Sequence, residues 1–318
     1  MNLYFAEDTL PADTMCATIG LFDGVHLGHR HLFNVLKIQA AACGLKTLAV
    51  TFDQHPQHIL QLDRPPISQL MAATMRINAI DEAGIENVLV LEFTEELAAM
   101  TSTEFMQLLH DKYGVARLVV GYNNKFGSDT DSTFDDYKRE GARIGVYVFG
   151  ATRNNGPVVS STIIRDAIRR RGAIRQANLM LGREFSILGT VVKGNQVGST
   201  IGFPTANVKP DSLYQLMPPP GAYAIIAQTH DGKRYPGMAG VSHRPSVEHD
   251  ENADIALEVN LFDYDGGDLY DRQIAVFFID MLRRGEVKFD STAELKSQLE
   301  QDKLAAMQAI DQYVNNDD

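Results

Sequence analysis

Residues 16–29 read CATIGLFDGVHLGH, and this stretch decides the fold of the first half of the chain. Cys16–Gly20 is a short apolar run that ends in glycine, which is typical of a buried strand. From Leu32 the apolar residues follow helical spacing as far as Gly44, which is placed to end a helix. The sequence therefore predicts a strand and a helix joined by a loop rich in glycine and histidine.

The rest of the first half repeats this alternation. Four further apolar runs have the length of strands: 47–52, 88–93, 117–121 and 145–149. Between the second and third of these runs, Thr101 and Glu104 form a capping box that predicts the start of a helix. Strands that alternate with helices indicate βαβ units and a parallel sheet with covered faces.

After about Arg175 the pattern changes. Segments rich in Val, Ile and Tyr occur at 187–192, 222–228, 255–262 and 274–279. Turn pairs such as Asp231-Gly232 separate them, which predicts a compact antiparallel barrel, and a last helix is expected from Ser291. We expect an α/β domain over residues 1–175 and a β-barrel domain over residues 176–318.

Composition limits the classes of partner. The 318 residues are 44% hydrophobic and 22% charged, as in a soluble globular protein, and no apolar run has the length of a membrane span. A net charge of −12 argues against nucleic-acid binding, because the chain would repel a phosphate backbone. Cys16 and Cys43 are too few for a disulfide framework, which predicts reduced core thiols and a cytoplasmic location. No pattern indicates an oligomeric state.

The run His26-Leu27-Gly28-His29 lies where the first helix is predicted to begin. A helix N-terminus binds phosphate through free N–H groups, and two imidazoles there can donate to phosphoryl oxygens. Gly28 leaves room for a close backbone approach, as do Gly20 and Gly24. The alternative is that these are two surface histidines on an ordinary helix. That alternative is the weaker one, because two histidines and three glycines occur within ten residues at a strand–helix junction.

Two further stretches suggest anion or metal binding less strongly. Ser160, Ser161 and Thr162 offer hydroxyls at a helix start, one turn before Arg165, although an N-cap followed by a solvated basic face explains them equally well. In the barrel half, Thr205 and Asn207 offer oxygens suited to a magnesium–nucleotide complex. Taken alone, the latter stretch reads more simply as a polar loop.

These motifs resemble those of the bacterial bifunctional riboflavin kinase/FMN adenylyltransferase family, also called FAD synthetases. Residues 22–29 are similar to its HxGH nucleotidyltransferase signature, and residues 202–207, Gly-Phe-Pro-Thr-Ala-Asn, to its riboflavin kinase signature. Further matching segments are 51–56, 121–127, 160–165, 221–223, 244–245, 257–260 and 284–289. The resemblance implies a Rossmann-like nucleotidyltransferase domain followed by an antiparallel β-barrel riboflavin kinase domain with a terminal helix.

For the first domain, the resemblance implies that the FMN phosphate attacks the α-phosphorus of ATP and releases pyrophosphate, with His29 and Arg165 as catalytic donors and Mg²⁺ assisting. The implied ATP-binding residues are Gly20, Phe22, Asp23, His26, Gly28, His29, Ser160, Ser161, Thr162 and Arg165. The implied flavin-binding residues are Phe52, Asp53, Pro56, Asn123 and Phe126. Lys125 stands where the family more often has arginine.

For the second domain, the resemblance implies that Glu258 accepts the proton of the ribityl 5′-hydroxyl of riboflavin while Thr205 and Asn207 hold Mg²⁺–ATP. The implied ATP-binding residues are Gly198, Thr200, Phe203, Pro204, Thr205 and Asn207, and the implied flavin-binding residues are Glu258 and Arg284. Ser199 and Asp271 depart from the family pattern. Asp271 replaces a glycine, so we expect it to adopt a positive φ.

Riboflavin, FMN, FAD and ATP are thus the expected substrates and products of a two-site enzyme. Three alternatives stay open. One is a chain with only the adenylyltransferase activity, and another is a flavin- or nucleotide-binding regulator without turnover. The third, a nucleotidyltransferase for another substrate, leaves the run Phe203–Asn207 unexplained.

Overall fold

A computed structural model describes residues 1–59, 66–121, 124–129, 131–152, 156–193, 202–243, 255–287 and 289–316. The chain divides into two compact units. The first comprises Met1–Ile67 and Ala73–Val159, and the second comprises Ser68–Ala72 and Ser160–Asp318.

The first unit contains a six-stranded sheet in the order β1-β4-β3-β2-β5-β6, and all paired strands are parallel. Its strands are β1 (Asn2–Phe5), β2 (Met15–Ile19), β3 (Lys46–Phe52), β4 (Asn87–Leu91), β5 (Val115–Val120) and β6 (Tyr147–Gly150). The last five confirm the predicted strands to within two residues at each end. Strand β1 was not predicted, because this short edge strand is mostly exposed and lacks a buried apolar run.

Helices cover this sheet. They are α1 (Leu27–Cys43), α2 (Pro56–Ile59), α3 (Ala73–Glu82), α4 (Glu95–Ala99), α5 (Ser102–Tyr113) and α6 (Phe134–Arg143). Gly44 ends α1 with a φ of +65°, and the capping box of Thr101 and Glu104 begins α5, as predicted. Cys16 is buried, but Cys43 is exposed near the end of α1, so the expectation of two core thiols is wrong for Cys43.

The second unit contains a closed antiparallel barrel in the order β10-β11-β8-β7-β12-β9, which confirms the predicted architecture. Its strands are β7 (Phe185–Val192), β8 (Ala206–Pro210), β9 (Gly221–Gln228), β10 (Arg234–His243), β11 (Ile255–Leu261) and β12 (Gln273–Arg284). Its helices are α7 (Ser161–Arg171), α8 (Ile174–Leu181) and α9 (Thr292–Asn316). The buried side chains of Ala306, Ala309 and Ile310 on α9 pack with barrel residues in one apolar cluster.

Two local features complete the barrel unit. The segment Ser68–Ala72 is buried and belongs to this unit. It is attached by two backbone hydrogen bonds: the Gln69 N–H donates to the Tyr214 carbonyl (2.6 Å), and the Gln69 carbonyl accepts from the Leu216 N–H (2.7 Å). Asp271 has a φ of +58°, as its place at a glycine position predicted. In the described parts of the chain, every helix is too short or too polar to cross a bilayer.

Candidate active sites

The first candidate site lies where the winding of the parallel sheet reverses. Strand β2 has β3 on one side and β5 on the other, so the chain moves away from β2 in one direction and later returns on the opposite side. Ligands of open α/β sheets bind at such a point, outside the carboxyl ends of the strands. The loop between β2 and α1, residues Gly20–His26, occupies this position.

The backbone of this loop is strained. Phe22 has a φ of +54° and Val25 a φ of +36°, and Gly24 between them has a φ of +84°. Positive φ is uncommon for any residue with a side chain and a clear outlier for a β-branched one. Both Phe22 and Val25 are buried, so packing holds them in this conformation. Such strain is concentrated at ligand-binding sites, where it fixes a loop for its function.

His26 caps helix α1. Its Nδ1 accepts a hydrogen bond from the backbone N–H of His29 at 3.3 Å, and its side chain is only 4% exposed. Because Nδ1 accepts, the neutral ring carries its proton on Nε2, which makes that atom a donor. The rings of His26 and His29 stack with centroids 3.7 Å apart, and Phe22 contacts His29 edge-on at 5.4 Å. The two predicted phosphate donors are therefore brought together at one helix end.

Gly28 is required by the same geometry. A Cβ atom at this position would lie 3.0 Å from Cε1 of His26 and 3.3 Å from the carbonyl oxygen of Val159. Gly20 similarly allows the Phe22 ring to approach, since its Cβ would lie 2.9 Å from that ring. Both glycines thus make room for the packing of the loop, whereas the predicted close approach of a ligand to their backbone stays a prediction.

The predicted flavin-binding residues of the first unit have mixed surroundings. Asp53 follows β3, and its Oδ1 accepts hydrogen bonds from the N–H groups of Gln54 (2.7 Å) and Phe93 (3.1 Å). Phe52 is buried edge-on against Phe93, and half-buried Phe126 packs against the apolar core and stacks on Tyr137 at 4.5 Å. These two aromatic rings therefore contribute to the fold of the sheet unit.

The remaining predicted residues of the first site are placed as follows. Pro56 begins α2. Ser160 is the N-cap of α7, and its Oγ accepts from the Ile163 N–H at 3.3 Å, while Ser161 and Arg165 are half-buried and Thr162 is exposed on the same helix of the second unit. Ser160 is thus an N-cap, as one of the two interpretations of this stretch predicted. Asn123, Gly198, Ser199, Thr200 and residues 244–245 lie outside the described residues.

The second candidate site lies on two neighbouring barrel strands. Asn207 on β8 is paired in register with Glu258 on β11, which places their Cβ atoms about 5 Å apart on one face of the barrel. Glu258 is exposed and also stands opposite Gly240 on β10. A Cβ at Gly240 would meet no atom of the described residues within 4 Å, so none of them crowds this side of the Glu258 position.

The loop before β8 is held by Asn260, which lies in the matched segment 257–260 but was assigned no role from the sequence. The Nδ2 group of Asn260, buried on β11, donates a hydrogen bond to the Pro204 carbonyl at 2.7 Å. Thr205 is half-buried beside it, whereas Phe203 is buried in the apolar cluster with α9, so its ring supports the fold. Arg284 ends β12 and donates from Nη2 to the Arg170 carbonyl at 2.9 Å.

The donor set fits magnesium held mainly through nucleotide phosphates. Among the described residues, no group of three or more His, Cys, Asp or Glu side chains is arranged to hold a metal ion. Mg²⁺ commonly keeps water and substrate phosphate oxygens as ligands and takes only one or two from the protein. The oxygens of Thr205 and Asn207 are suited to that role.

The chain matches two family models and several full-length relatives. The FAD synthetase model matches residues 10–163, and the riboflavin kinase model matches residues 181–310. The bifunctional riboflavin kinase/FMN adenylyltransferase of Bacillus subtilis is 32% identical over 91% of this chain and 90% of its own length; that of Pseudomonas fluorescens is 36% identical over 91% of each. A crystal structure described as a macrolide-efflux protein from Streptococcus pneumoniae has 28% identity and a TM-score of 0.84 and covers 96% of this chain and 99% of that one.

Proposed function

We propose, since this chain belongs to the family of bifunctional riboflavin kinase/FMN adenylyltransferases, that its two reactions take place at the two candidate sites described above. The chain phosphorylates riboflavin with ATP to give FMN, and it adenylylates FMN to FAD with release of pyrophosphate. The observation that best supports the site assignment is that a strained phosphate-type loop and an exposed carboxylate lie in separate units.

In the adenylylation of FMN, the attacking phosphate is already ionised at neutral pH. Catalysis therefore consists of aligning two anionic substrates and neutralising the charge that develops on the triphosphate. We assign this role to the Nε2–H of His26, the imidazole of His29 and the N-terminus of α1. The family pattern supports a further contribution from Ser160–Thr162, which fall within the matched FAD synthetase segment, and from Arg165, which lies two residues beyond it.

In the phosphorylation of riboflavin, the attacking group is a primary alcohol, which is a weak nucleophile at neutral pH. We assign to Glu258 the role of accepting its proton, and the exposure of the side chain opposite Asn207 supports this assignment. We assign the binding of Mg²⁺ to Thr205 and Asn207, and when bound this ion neutralises charge on the ATP phosphates. Asn260 acts through the Pro204 carbonyl, because its hydrogen bond fixes the loop that carries Thr205.

The bounds of the catalytic domains and the location of the protein are also proposals. We place adenylylation in residues 1–175 and phosphorylation in residues 176–318. The gap between the two matched segments supports this division, whereas the contacts of α7 group it with the barrel. The presence of two free cysteines supports a cytoplasmic location, which fractionation of cells would test.

The function is tested by incubating the purified chain with riboflavin, ATP and Mg²⁺ and separating the flavins over time. We expect FMN to rise first and FAD to follow, with one ADP per flavin phosphorylated and one pyrophosphate per FAD. Chelation of Mg²⁺ should stop both steps, and added Mg²⁺ should restore them. If the chain converted supplied FMN to FAD but did not phosphorylate riboflavin, the kinase assignment would be contradicted. If it bound flavin or ATP but released neither ADP nor pyrophosphate, it would be a regulator rather than an enzyme.

The substitution Gly28→Ala tests whether the packing of the loop affects adenylylation without affecting the stability of the chain. The added methyl group would crowd the His26 ring at 3.0 Å, so the ring must shift by a few tenths of an ångström. We expect kcat/KM for adenylylation to fall by about 10- to 100-fold, because misplaced catalytic groups are costly. Alanine favours helix, so the free energy of unfolding should stay within about 1 kcal/mol or rise. Steady-state kinetics and denaturant unfolding test this, and unchanged adenylylation would contradict the crowding argument.

A further inference from the structure

Helix α3 carries a buried arginine that the sequence motifs did not indicate. The side chain of Arg76 is 1% exposed, so its guanidinium group is removed from water. Its Nη2 donates a hydrogen bond to the carbonyl oxygen of Phe52, the last residue of β3. Its Nε and Nη1 atoms are also buried and have no hydrogen-bond partner among the described residues. Burial of a guanidinium group with two unpaired nitrogen atoms has a cost in free energy, and such an exception in a folded protein calls for an explanation.

Two carboxylates of the candidate active site act on this buried charge. Asp23 lies in the strained loop between β2 and α1 and is 3% exposed, and Asp53 follows directly after Phe52. Burial lowers the pKa of Arg76, and the negative charges of Asp23 and Asp53 act in the opposite direction. Because its hydrogen bond goes to the last residue of β3, Arg76 lies at the carboxyl edge of the sheet, and the loop after the neighbouring strand β2 carries Asp23.

We propose that Arg76 is a positioning residue for FMN adenylylation: it holds the loop that carries Asp23 and the strand end that carries Asp53, and it touches neither substrate. The inference rests on the adenylyltransferase function assigned above to this unit. Arg76 belongs to neither of the matched motifs that supplied the site residues, and its role follows from its burial and its partners.

The first effect of Arg76 is on the conformation of the loop. Phe22 and Val25 hold unfavourable φ values there, and a strained loop persists only where its surroundings fix it. The electrostatic attraction between the buried guanidinium group of Arg76 and the buried carboxylate of Asp23 provides such a constraint, since neither charge is stable alone in a site of low polarity. Fixing this loop also fixes His26, its last residue, which caps α1.

The second effect is on charge. The reaction brings two polyanions, ATP and FMN, to an edge of the sheet where Asp23 and Asp53 contribute two negative charges. The guanidinium charge of Arg76 opposes both carboxylates in a region where screening by water is weak. Without it, the substrates would meet net repulsion at the site, so both the affinity for FMN and the turnover should depend on Arg76.

The test compares Arg76→Met, Arg76→Lys and a matched control, Ile80→Ala, in the full chain. Ile80 is fully buried on α3 one turn after Arg76, so its truncation destabilises the same helix without removing a charge. We expect Arg76→Met to lower kcat/KM for FMN by about 100-fold or more, with changes in both KM and kcat. Arg76→Lys, which keeps the charge, should recover at least tenfold of this loss. Ile80→Ala, assayed below its melting temperature, should retain adenylylation within about threefold.

Riboflavin phosphorylation by the same samples provides an internal control, and it should stay within twofold in all three variants. The inference is overturned if Arg76→Met keeps its adenylylation kinetics, or if Ile80→Ala loses as much activity as Arg76→Met at the same fraction folded. It is also overturned if lysine is no better than methionine. Failure of the wild-type chain to make FAD would instead overturn the proposed function, so the two failures are distinguishable.

Discussion

His29→Ala is expected to lower the rate of FAD formation by about 10³-fold while riboflavin phosphorylation stays within twofold. Loss of one well-placed donor to a developing anionic transition state has an effect of this order. The substitution removes the imidazole ring but keeps the backbone N–H that donates to Nδ1 of His26, so the cap of α1 survives. Alanine is also a good helix former, so the helix should remain folded. Pyrophosphate release from ATP and FMN, measured beside FMN formation from riboflavin, tests this result.

His31→Ala is the matched control for this variant. His31 lies two residues further along α1, and its Nε2 contacts the carbonyl oxygen of Thr152 at 2.9 Å, apart from the stacked pair of His26 and His29. We expect this control to retain adenylylation within about tenfold. If His29→Ala stopped both reactions in a folded chain, the assignment of two independent sites would be wrong. If His31→Ala were as damaging as His29→Ala, the effect would belong to the helix rather than to the imidazole.

Local signals predicted most of the fold. Helix α1 and helix α5 were predicted because Gly44 and the pair Thr101 and Glu104 act on their own neighbours in the chain. Helix α6 was not predicted, since Phe134–Arg143 is mostly polar and buries only Tyr137 and Gly141. The edge strand β1 and the insertion of Ser68–Ala72 into the second unit depend on contacts far apart in sequence, which no local pattern reveals.

The candidate sites show the same limit at the level of single residues. Contiguous motifs singled out His26, His29 and Asn207, because the residues of each motif are close together in the sequence. Arg76 was missed, because its hydrogen bond joins residues 24 positions apart. Asn260 lies in the matched segment 257–260, but its role was missed for the same reason, since it bonds to a residue 56 positions away. Phe52 packs into the core, a contact that the motif did not indicate, and its predicted role in flavin binding stays a prediction.

Glu258→Gln is the second substitution for which we expect a large effect. Glutamine preserves the shape of the side chain but cannot accept the hydroxyl proton of riboflavin, so phosphorylation should fall by about 10²- to 10⁴-fold. The side chain is exposed on β11, so the free energy of unfolding should change by less than about 0.5 kcal/mol. Adenylylation of supplied FMN should stay within twofold, since Glu258 is not among the residues assigned to this reaction. Initial rates of ADP formation with riboflavin, and of FAD formation with FMN, distinguish the two steps.

Glu300→Gln makes the same chemical change at an exposed position of α9 in the same unit and serves as the control for this variant. It should keep both activities, which would exclude a general effect of removing one negative charge from an acidic chain. If Glu258→Gln kept the rate of phosphorylation within tenfold of wild type, the carboxylate would not be the base. The rate enhancement would then have to come from alignment of the substrates near Asn207. If it lowered kcat but left KM for riboflavin unchanged, the carboxylate would act in the transition state rather than in binding, as expected for a group that accepts a proton only when the bond to phosphorus forms.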